Sequence, residues 1–367
     1  MSQYENYRSG TIIVPASKET PSGYYPLEVI DVIEETSEAK SFSLKAPSEY
    51  EEFFGYQSGQ FLTFSLEVTG EILRRCYSFS SSPDTHEFPT ITVKRIQDGR
   101  ASNWMNDTLG MGSRLYARPP AGRFVLESRD RPLVLLAAGS GITPVISLLR
   151  TALLKSSQSI TLFYANRDRP STIFYDEINR MMATYPDQLT VVHHNDVEQG
   201  FIQGEKIEAL VRPEVGAQYY LCGPAPFMSL CESSLESGGI ASEDIHCERF
   251  ASLSADPQSE TNARRSESRG KAEDNANREV VVKIDGKTQT ISCSGDKTLL
   301  VAAQQAGLDP PCGCEEGLCG ACSATLLEGD VRMDNEEGLS STQRDNGEIL
   351  TCQSYPLTRR CTIEYAD

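Results

Sequence analysis

Short apolar runs separated by turn residues fill the first part of the chain, from Tyr24 to Glu127. Runs such as LEVIDVIEE, GQFLTFSLEV and TITVKRI are bounded by polar turn residues, which is typical of short antiparallel strands. Between Pro132 and Phe250 the pattern changes to apolar strands, such as LVLLAAG and ITLFYAN, that alternate with helical stretches, such as TIFYDEINRMMATY. Alternating strands and helices indicate a parallel sheet covered by helices. We therefore predict an antiparallel barrel or sandwich followed by an α/β parallel-sheet unit.

A polar segment from Ala251 to Arg278 separates these units from the rest of the chain. Leu253 is its only large apolar residue, so it buries too little surface to offset the entropy of ordering, and we expect a mobile linker. One exposed loop within a domain is the alternative. Beyond it, EVVVKIDGKTQTIS predicts a hairpin and TLLVAAQQAG a helix that ends at Gly307. The expected multidomain organisation is a flexible leader, a barrel, an α/β domain, a linker and a small third domain, over 1–22, 23–128, 129–250, 251–278 and 279–367.

The charge balance narrows the class of protein. The chain has 34 basic and 52 acidic residues, for a net charge of −18, which argues against nucleic-acid binding. No apolar run approaches the ~20 residues that span a bilayer. The amino terminus lacks the basic and apolar segments of a signal peptide. We expect a cytoplasmic protein without a membrane partner.

Cysteines carry the strongest chemical signal. Seven of the eleven lie between Cys293 and Cys361, and disulfides are rare in a reducing compartment. One group has the spacing C-x4-C-x2-C with a further cysteine downstream, which is the plant-type [2Fe–2S] pattern. Zinc sites usually pair two C-x2-C knuckles, and here there is one. The predicted ligands are Cys314, Cys319, Cys322 and Cys352.

Other cysteines near this motif have different predicted roles. Cys312 lies two residues before Cys314, but the x4–x2 spacing selects Cys314. We expect Cys293 and Cys361 to be small core residues. A Rieske cluster needs two histidine ligands, and none of the four histidines lies in a Cys-x-His pair.

A second motif, Arg75-Cys76-Tyr77-Ser78, lies in a predicted strand of the first domain. An arginine can pair with a flavin phosphate, an aromatic ring can cover the isoalloxazine, and a serine can hydrogen-bond its edge. Lys94 and Arg95 occupy the next strand. The turn 99–104, which includes Ser102, leads into a helix whose free amides suit a pyrophosphate.

A third motif opens the α/β domain. Gly139 and Gly141 follow a buried strand and precede a helix, which allows a dinucleotide to approach the backbone. Thr143 and Pro144 fall in the first turn of that helix. Cys222-Gly223 follows another strand at the carboxyl edge of the same sheet, where ligands bind in such folds.

Together these motifs resemble the ferredoxin–NADP reductase superfamily, and specifically the oxygenase reductases with a C-terminal plant-type ferredoxin domain. The chain is similar to the families of the 3-ketosteroid 9α-hydroxylase and phenylacetyl-CoA epoxidase reductases. The resemblance implies a β-barrel flavin domain, an α/β nicotinamide domain and an α+β β-grasp ferredoxin domain. It also implies site residues in three groups. Arg75, Tyr77 and Ser78 would hold the flavin, with Lys94, Arg95 and Ser102 on its phosphate side; Gly139, Gly141, Thr143, Pro144 and Gly223 would meet the dinucleotide; Ser78, Cys222 and Glu248 would serve hydride transfer, with Phe250 bordering the flavin.

The resemblance further implies electron flow from NAD(P)H through a flavin and the [2Fe–2S] cluster to a separate terminal oxygenase. FAD is expected, with FMN as the alternative. The residues after the second strand leave the coenzyme open: Asp168 could hold a ribose hydroxyl, while Arg167, Arg169 and Ser171 could equally hold a 2′-phosphate. NADH is favoured over NADPH by the resemblance alone. A Rieske-type ring or steroid hydroxylase is the leading partner. A diiron epoxidase or desaturase is the second possibility, a redox-responsive binding protein the third, and a monomer is expected.

Overall fold

The computed structural model describes residues 23–127, 130–211, 216–250 and 277–365, apart from positions 285, 309, 316, 318, 337 and 340 and the side chains of 210, 211, 341 and 342. The predicted leader over 1–22 lies outside the described residues. So does most of the predicted linker, because the description resumes at Asn277. The predicted domain bounds therefore stay predictions, although the order of elements follows them.

The first domain is an antiparallel sheet of six strands. Its order is β4-β3-β6-β1-β2-β5, and a bridge between Phe79 and Ile91 links its two ends. Apolar side chains, including those of Phe42, Leu62 and Phe64, fill the interior. This confirms the predicted antiparallel barrel. The elements are β1 (Tyr25–Thr36), β2 (Ala39–Lys45), β3 (Phe61–Val68), β4 (Glu71–Ser78), β5 (Thr90–Lys94), α1 (Arg100–Thr108) and β6 (Arg114–Ala117).

The second domain has a parallel sheet of five strands in the order β11-β10-β7-β8-β9. Every residue of the central strand Leu133–Ala138 is buried, as expected for a parallel strand covered on both faces. The α/β prediction is confirmed. The elements are β7 (Leu133–Ala138), α2 (Ile142–Lys155), β8 (Ile160–Asn166), α3 (Tyr175–Thr184), β9 (Leu189–Asn195), α4 (Asp196–Gln199), α5 (Gly204–Val211), β10 (Gln218–Gly223), α6 (Ala225–Ser237) and β11 (Ile245–Arg249).

The third domain is a mixed sheet in the order β13-β12-β18-β14-β16, with β15 and β17 paired beside it. The first hairpin and the following helix match the prediction. Thr298 caps that helix by accepting a hydrogen bond from the Val301 amide, and Gly307 has φ of 81° just after its end, as in a left-handed helix terminus. The elements are β12 (Asn277–Ile284), β13 (Lys287–Ser294), α7 (Leu299–Gln305), β14 (Ser323–Glu328), β15 (Val331–Met333), α8 (Ser341–Asp345), β16 (Glu348–Leu350), β17 (Ser354–Pro356) and β18 (Arg360–Glu364).

One predicted helix is shorter than its sequence pattern indicates. The stretch TIFYDEINRMMATY was expected to be helical throughout, but α3 begins only at Tyr175. Phe174, at the residue before it, has φ of 60°. A non-glycine residue in this left-handed conformation interrupts helical geometry, so Thr172 and Ile173 belong to the preceding loop.

The first two domains meet across a polar interface. The Arg150 side chain is buried and pairs with both carboxylate oxygens of Glu177 at 2.7 Å. It also donates to the Ser80 carbonyl of the barrel. The Thr151 hydroxyl lies 2.5 Å from that of Ser58. Helix α2 therefore contacts the barrel through buried hydrogen bonds, which fix the positions of the first two domains relative to each other. Among the described residues, no helix is long and apolar enough to cross a membrane.

Candidate electron-transfer site

The four predicted cluster ligands lie at one end of the third domain. Cys314 and Cys319 lie on the loop after α7, Cys322 directly precedes β14, and Cys352 follows β16. The Cys314 amide points at the Cys319 sulfur, 3.3 Å away. The thiols of Cys322 and Cys352 share a hydrogen bond, and the Gly317 amide points at the Cys352 sulfur.

The thiols approach one another in pairs. Cys314 lies with Cys319, and Cys322 with Cys352, whereas no three metal-binding side chains among the described residues converge on one point. A [2Fe–2S] cluster has four cysteine ligands shared between two irons. The paired thiols and the amides aimed at their sulfurs therefore fit such a cluster better than a single zinc ion.

The remaining cysteines of this domain lie elsewhere. The Cys312 sulfur contacts the guanidinium of Arg118 in the first domain and the Gln304 side chain at 3.5 Å. Cys293 and Cys361 are buried in strands β13 and β18. These positions agree with the predicted ligand set, whose assignment remains a proposal.

The end of β4 carries an unusual serine. Ser78 is 1% exposed, and its hydroxyl is buried without a hydrogen-bond partner among the described residues. Leaving a buried hydroxyl unpaired costs ~1–3 kcal/mol, so such a group indicates a bound ligand. The neighbouring Tyr77 ring lies 6.1 Å from that of Phe64. The roles of Ser78 at the flavin edge and of Tyr77 at the flavin face remain proposals.

The four residues that were predicted to lie near the flavin phosphates have different surroundings. Lys94 ends β5, and partial burial lowers its pKa. The Ser102 hydroxyl accepts a hydrogen bond from the Ile96 amide at 3.2 Å and so shapes the turn before α1. Arg95 donates to the Asp107 carboxylate at 2.5 Å, while Arg75 donates to the Arg74 carbonyl at 2.7 Å. Arg95 thus has a partner within its own domain, and the phosphate roles of all four residues remain proposals.

The predicted dinucleotide loop joins β7 to α2 through a short turn over Gly139–Gly141. A Cβ atom at Gly141 would lie 2.1 Å from the Cys222 carbonyl oxygen, so only glycine fits there. Thr143 donates to the Ser140 carbonyl at 3.1 Å and stabilises the turn. Pro144 lies in the first turn of α2. The two predicted segments, 139–144 and 222–223, are therefore in contact.

Two groups predicted to serve hydride transfer are adjacent. Cys222 of β10 is paired in register with Glu248 of β11, and both are buried. Burial raises the pKa of Glu248 to about 8. Burial and the nearby Glu248 raise the pKa of the Cys222 thiol. Both groups are therefore neutral near pH 7. Phe250 follows, packed against the core of the second domain.

A cavity of about 420 Å³ lies where the three domains meet. Its lining includes Phe124 from the first domain, Glu248 from the second and Cys319 from the third. Sequence reasoning did not anticipate this junction, nor the ion pairs of Glu315 with Arg74 and Arg118. The partners are some two hundred residues apart in the chain, and no local pattern signals their contact.

Three family models match successive parts of the chain. An oxidoreductase FAD-binding domain matches residues 26–126, an oxidoreductase NAD-binding domain matches 135–233, and a 2Fe-2S iron-sulfur cluster binding domain matches 282–357. These matches confirm the predicted order of cofactors and favour FAD over FMN.

Known proteins resemble the chain over nearly its whole length. The ferredoxin reductase component of 3-ketosteroid-9-alpha-monooxygenase from Rhodococcus rhodochrous is 40% identical, covering 92% of this chain and 96% of that protein. One of the subunits of 1,2-phenylacetyl-CoA epoxidase from Escherichia coli is 29% identical, covering 93% and 98%. The crystal structure of phthalate dioxygenase reductase superposes with a TM-score of 0.57 at 23% identity, covering 94% and 98%, which supports the fold.

The motifs, the paired thiols and these similarities agree on one arrangement of three cofactor-binding domains. The chain belongs to the ferredoxin–NADP reductase superfamily, as an FAD- and NAD(P)H-dependent oxidoreductase that ends in a [2Fe–2S] ferredoxin domain.

Proposed function

We propose that this reductase delivers electrons from NADH to a separate Rieske-type oxygenase that hydroxylates a steroid or a related fused ring. The observation that carries the proposal is 40% identity over 92% of the chain to a reductase component of 3-ketosteroid-9-alpha-monooxygenase. None of the eleven cysteines forms a disulfide, as expected of a protein that works in a reducing cytoplasm.

The bound groups supply the redox chemistry: a flavin accepts two electrons as a hydride, and a [2Fe–2S] cluster carries one at a time. The protein supplies orientation and electrostatics. Ser78 presents to the flavin edge a hydroxyl that has no hydrogen-bond partner in the described part of the chain. Gly141 lets the dinucleotide reach the backbone beside Cys222. Glu248, neutral near pH 7, borders the nicotinamide position without adding a charge there.

The ligand thiols and their amides define the other end of the route. The Cys314 amide points at the Cys319 sulfur, and the Gly317 amide points at the Cys352 sulfur. Hydrogen bonds to sulfur tune the reduction potential of [2Fe–2S] clusters. We propose Cys314, Cys319, Cys322 and Cys352 as its ligands.

The charges after β8 support NADH rather than NADPH. Arg167 pairs with Asp168 at 3.0 Å and with Glu38 at 3.5 Å, so two carboxylates surround the guanidinium. Arg169 stacks over the Tyr175 ring at 4.6 Å. A 2′-phosphate would have to compete with these carboxylates, whereas a ribose hydroxyl can donate to one. The ratio of kcat/KM for the two coenzymes tests this. Preference for NADPH contradicts it.

Reconstitution tests the choice of partner. The purified reductase is mixed with NADH and, separately, with the oxygenase components of a 3-ketosteroid 9α-monooxygenase and of a phenylacetyl-CoA epoxidase. Coupled product formation only with the first supports the proposal. Coupling only with the second, one subunit of which is 29% identical to this chain, would replace it. A redox-dependent complex without turnover would indicate a binding protein instead. Size-exclusion chromatography with light scattering tests the proposed monomer.

A further inference from the structure

The loop that carries Cys314 and Cys319 contacts the barrel domain. Glu315 directly follows Cys314. One of its carboxylate oxygens lies 3.0 Å from Arg74, and the other lies 3.0 Å from Arg118. We call these three residues the Glu315 bridge. Each oxygen has its own arginine, so the carboxylate is fixed in two directions.

The Glu315 bridge is held on both sides by further contacts. The guanidinium of Arg118 lies over the Tyr24 ring, 5.0 Å from its centroid, and contacts the Cys312 sulfur. The Gln353 side chain donates to the Glu315 carbonyl at 2.9 Å. The arginine and the carboxylate are thus both oriented before they meet.

The backbone of Glu315 gives independent support. Its φ is 58°, a left-handed conformation that favours glycine and is unfavourable for a residue with a Cβ. Such strain persists where the surrounding structure holds it and often marks a functional position. A glycine would relieve the strain but would lose the carboxylate that joins the two domains.

The Glu315 bridge lies beside the candidate flavin site. Arg74 belongs to β4, the strand that also carries Tyr77 and Ser78. The Cys76 thiol of the same strand contacts Cys319. A Cβ at Gly313 would lie 3.2 Å from the Phe61 ring, which places this part of the loop against β3. The docked loop therefore puts a cluster ligand next to the flavin-binding strand.

We propose that Glu315 is the positioning residue that docks the cluster loop on the flavin domain, and that this docking is reversible and controlled by ionic strength. The side chains of Arg74, Arg118 and Glu315 are 44%, 19% and 24% exposed. Partly exposed pairs of this kind are weakened by salt. The Glu315 bridge thus favours the docked position, in which the cluster receives electrons from the flavin. Because the bridge is weak, the third domain can also undock and reach a partner protein. The inference rests on the electron route and not on the identity of the oxygenase.

The test compares Glu315→Gln with Arg74→Gln in the holoenzyme at low salt. We expect each variant to slow cluster reduction by roughly fivefold, the factor set by ~1 kcal/mol of docking free energy, in a stopped-flow single turnover with NADH. Reduction of ferricyanide at the flavin should change less than about twofold. Cluster reduction should slow with added NaCl in the wild type and be nearly independent of salt in Glu315→Gln.

Small-angle X-ray scattering gives a readout apart from activity. The radius of gyration should rise in both variants at low salt, and in the wild type at high salt. Glu364→Gln is the matched control, because Glu364 forms an exposed ion pair with Lys283 within the third domain. It should behave as the wild type does. If Arg74→Gln, which leaves the cluster loop intact, retains the wild-type scattering and salt response, the inference is wrong. Loss of iron from Glu315→Gln with wild-type behaviour of Arg74→Gln would likewise contradict it.

Discussion

Cys222 and Glu248 lie side by side on neighbouring parallel strands, β10 and β11, with both side chains buried. Burial alone raises the pKa of the Glu248 carboxyl. A buried carboxyl with a raised pKa, placed next to a ligand loop, is a functional candidate. We propose that the pair presents a neutral acid and a neutral thiol to the coenzyme.

The Glu248 carboxyl should make stability depend on pH. Its pKa rises from 4.5 in the unfolded chain to about 8 in the folded protein, so between these values the folded state binds more protons. Stability from this group is complete below pH 4.5 and is lost as the pH rises through about 8. Each pKa unit corresponds to ~1.4 kcal/mol. Between pH 5 and 9, the free energy of unfolding of the wild type should therefore fall by on the order of a few kcal/mol more than that of Glu248→Gln.

Thermal unfolding across this pH range measures the difference. Glu236→Gln, at an exposed position on α6, removes a carboxylate without relieving burial and should keep the wild-type slope. Identical slopes for the wild type and Glu248→Gln would show that the carboxyl is solvated.

Ser78→Ala should separate activity from stability. Because the Ser78 hydroxyl has no protein partner among the described residues, its removal should leave the unfolding free energy of the flavin-free protein unchanged or slightly higher. Turnover with NADH and ferricyanide should fall roughly 10²-fold, as for loss of one oriented donor.

Ser80→Ala is the matched comparison for Ser78→Ala. The Ser80 hydroxyl is hydrogen-bonded to Thr92 at 2.7 Å, so this variant should lose ~1 kcal/mol of stability and keep its turnover per bound flavin. Equal turnover in both serine variants would remove Ser78 from the flavin edge.

Cysteine substitutions should distinguish ligands from neighbours. Cys352→Ser should lose most of the iron and the cluster absorbance, because its thiol pairs with that of Cys322, another proposed ligand. Cys312→Ser should retain both, since Cys312 contacts Arg118 and Gln304 instead. Iron and sulfide analysis of anaerobically purified protein measures this. Iron loss in Cys312→Ser alone would reverse the ligand assignment.

Arg150→Ala should destabilise the joint between the first two domains. Its side chain is 8% exposed, donates to the Ser80 carbonyl of the barrel and pairs with Glu177, which is 29% exposed. Losing these contacts should cost ~1–3 kcal/mol. Urea unfolding followed by flavin fluorescence should show this loss. Lys40→Ala, which breaks a pair with the largely exposed Glu34 at 3.5 Å, should cost less than ~1 kcal/mol. Equal urea midpoints for the two variants would mean that water reaches Arg150 at the interface between the domains.

Local patterns predicted much of this protein. Short apolar runs bounded by turn residues over β1–β6 indicated an antiparallel sheet, because such runs have the length of single strands. The turn at Gly139–Gly141 was predicted because the two glycines stand between a buried strand and a helix in the sequence. The helix α3 was predicted too long, since the left-handed Phe174 is not visible in an amphipathic pattern.

The amino-acid sequence by itself determined the three folding units, the coenzyme loop and the cysteine spacing, because each depends on residues close together in the chain. Only the tertiary structure decided that Ser78 is left without a partner among the described residues, that Glu248 is buried beside Cys222, and that Glu315 meets Arg74 and Arg118. Burial and long-range ion pairs depend on which surfaces come together, and residues some two hundred positions apart carry no local record of their contact.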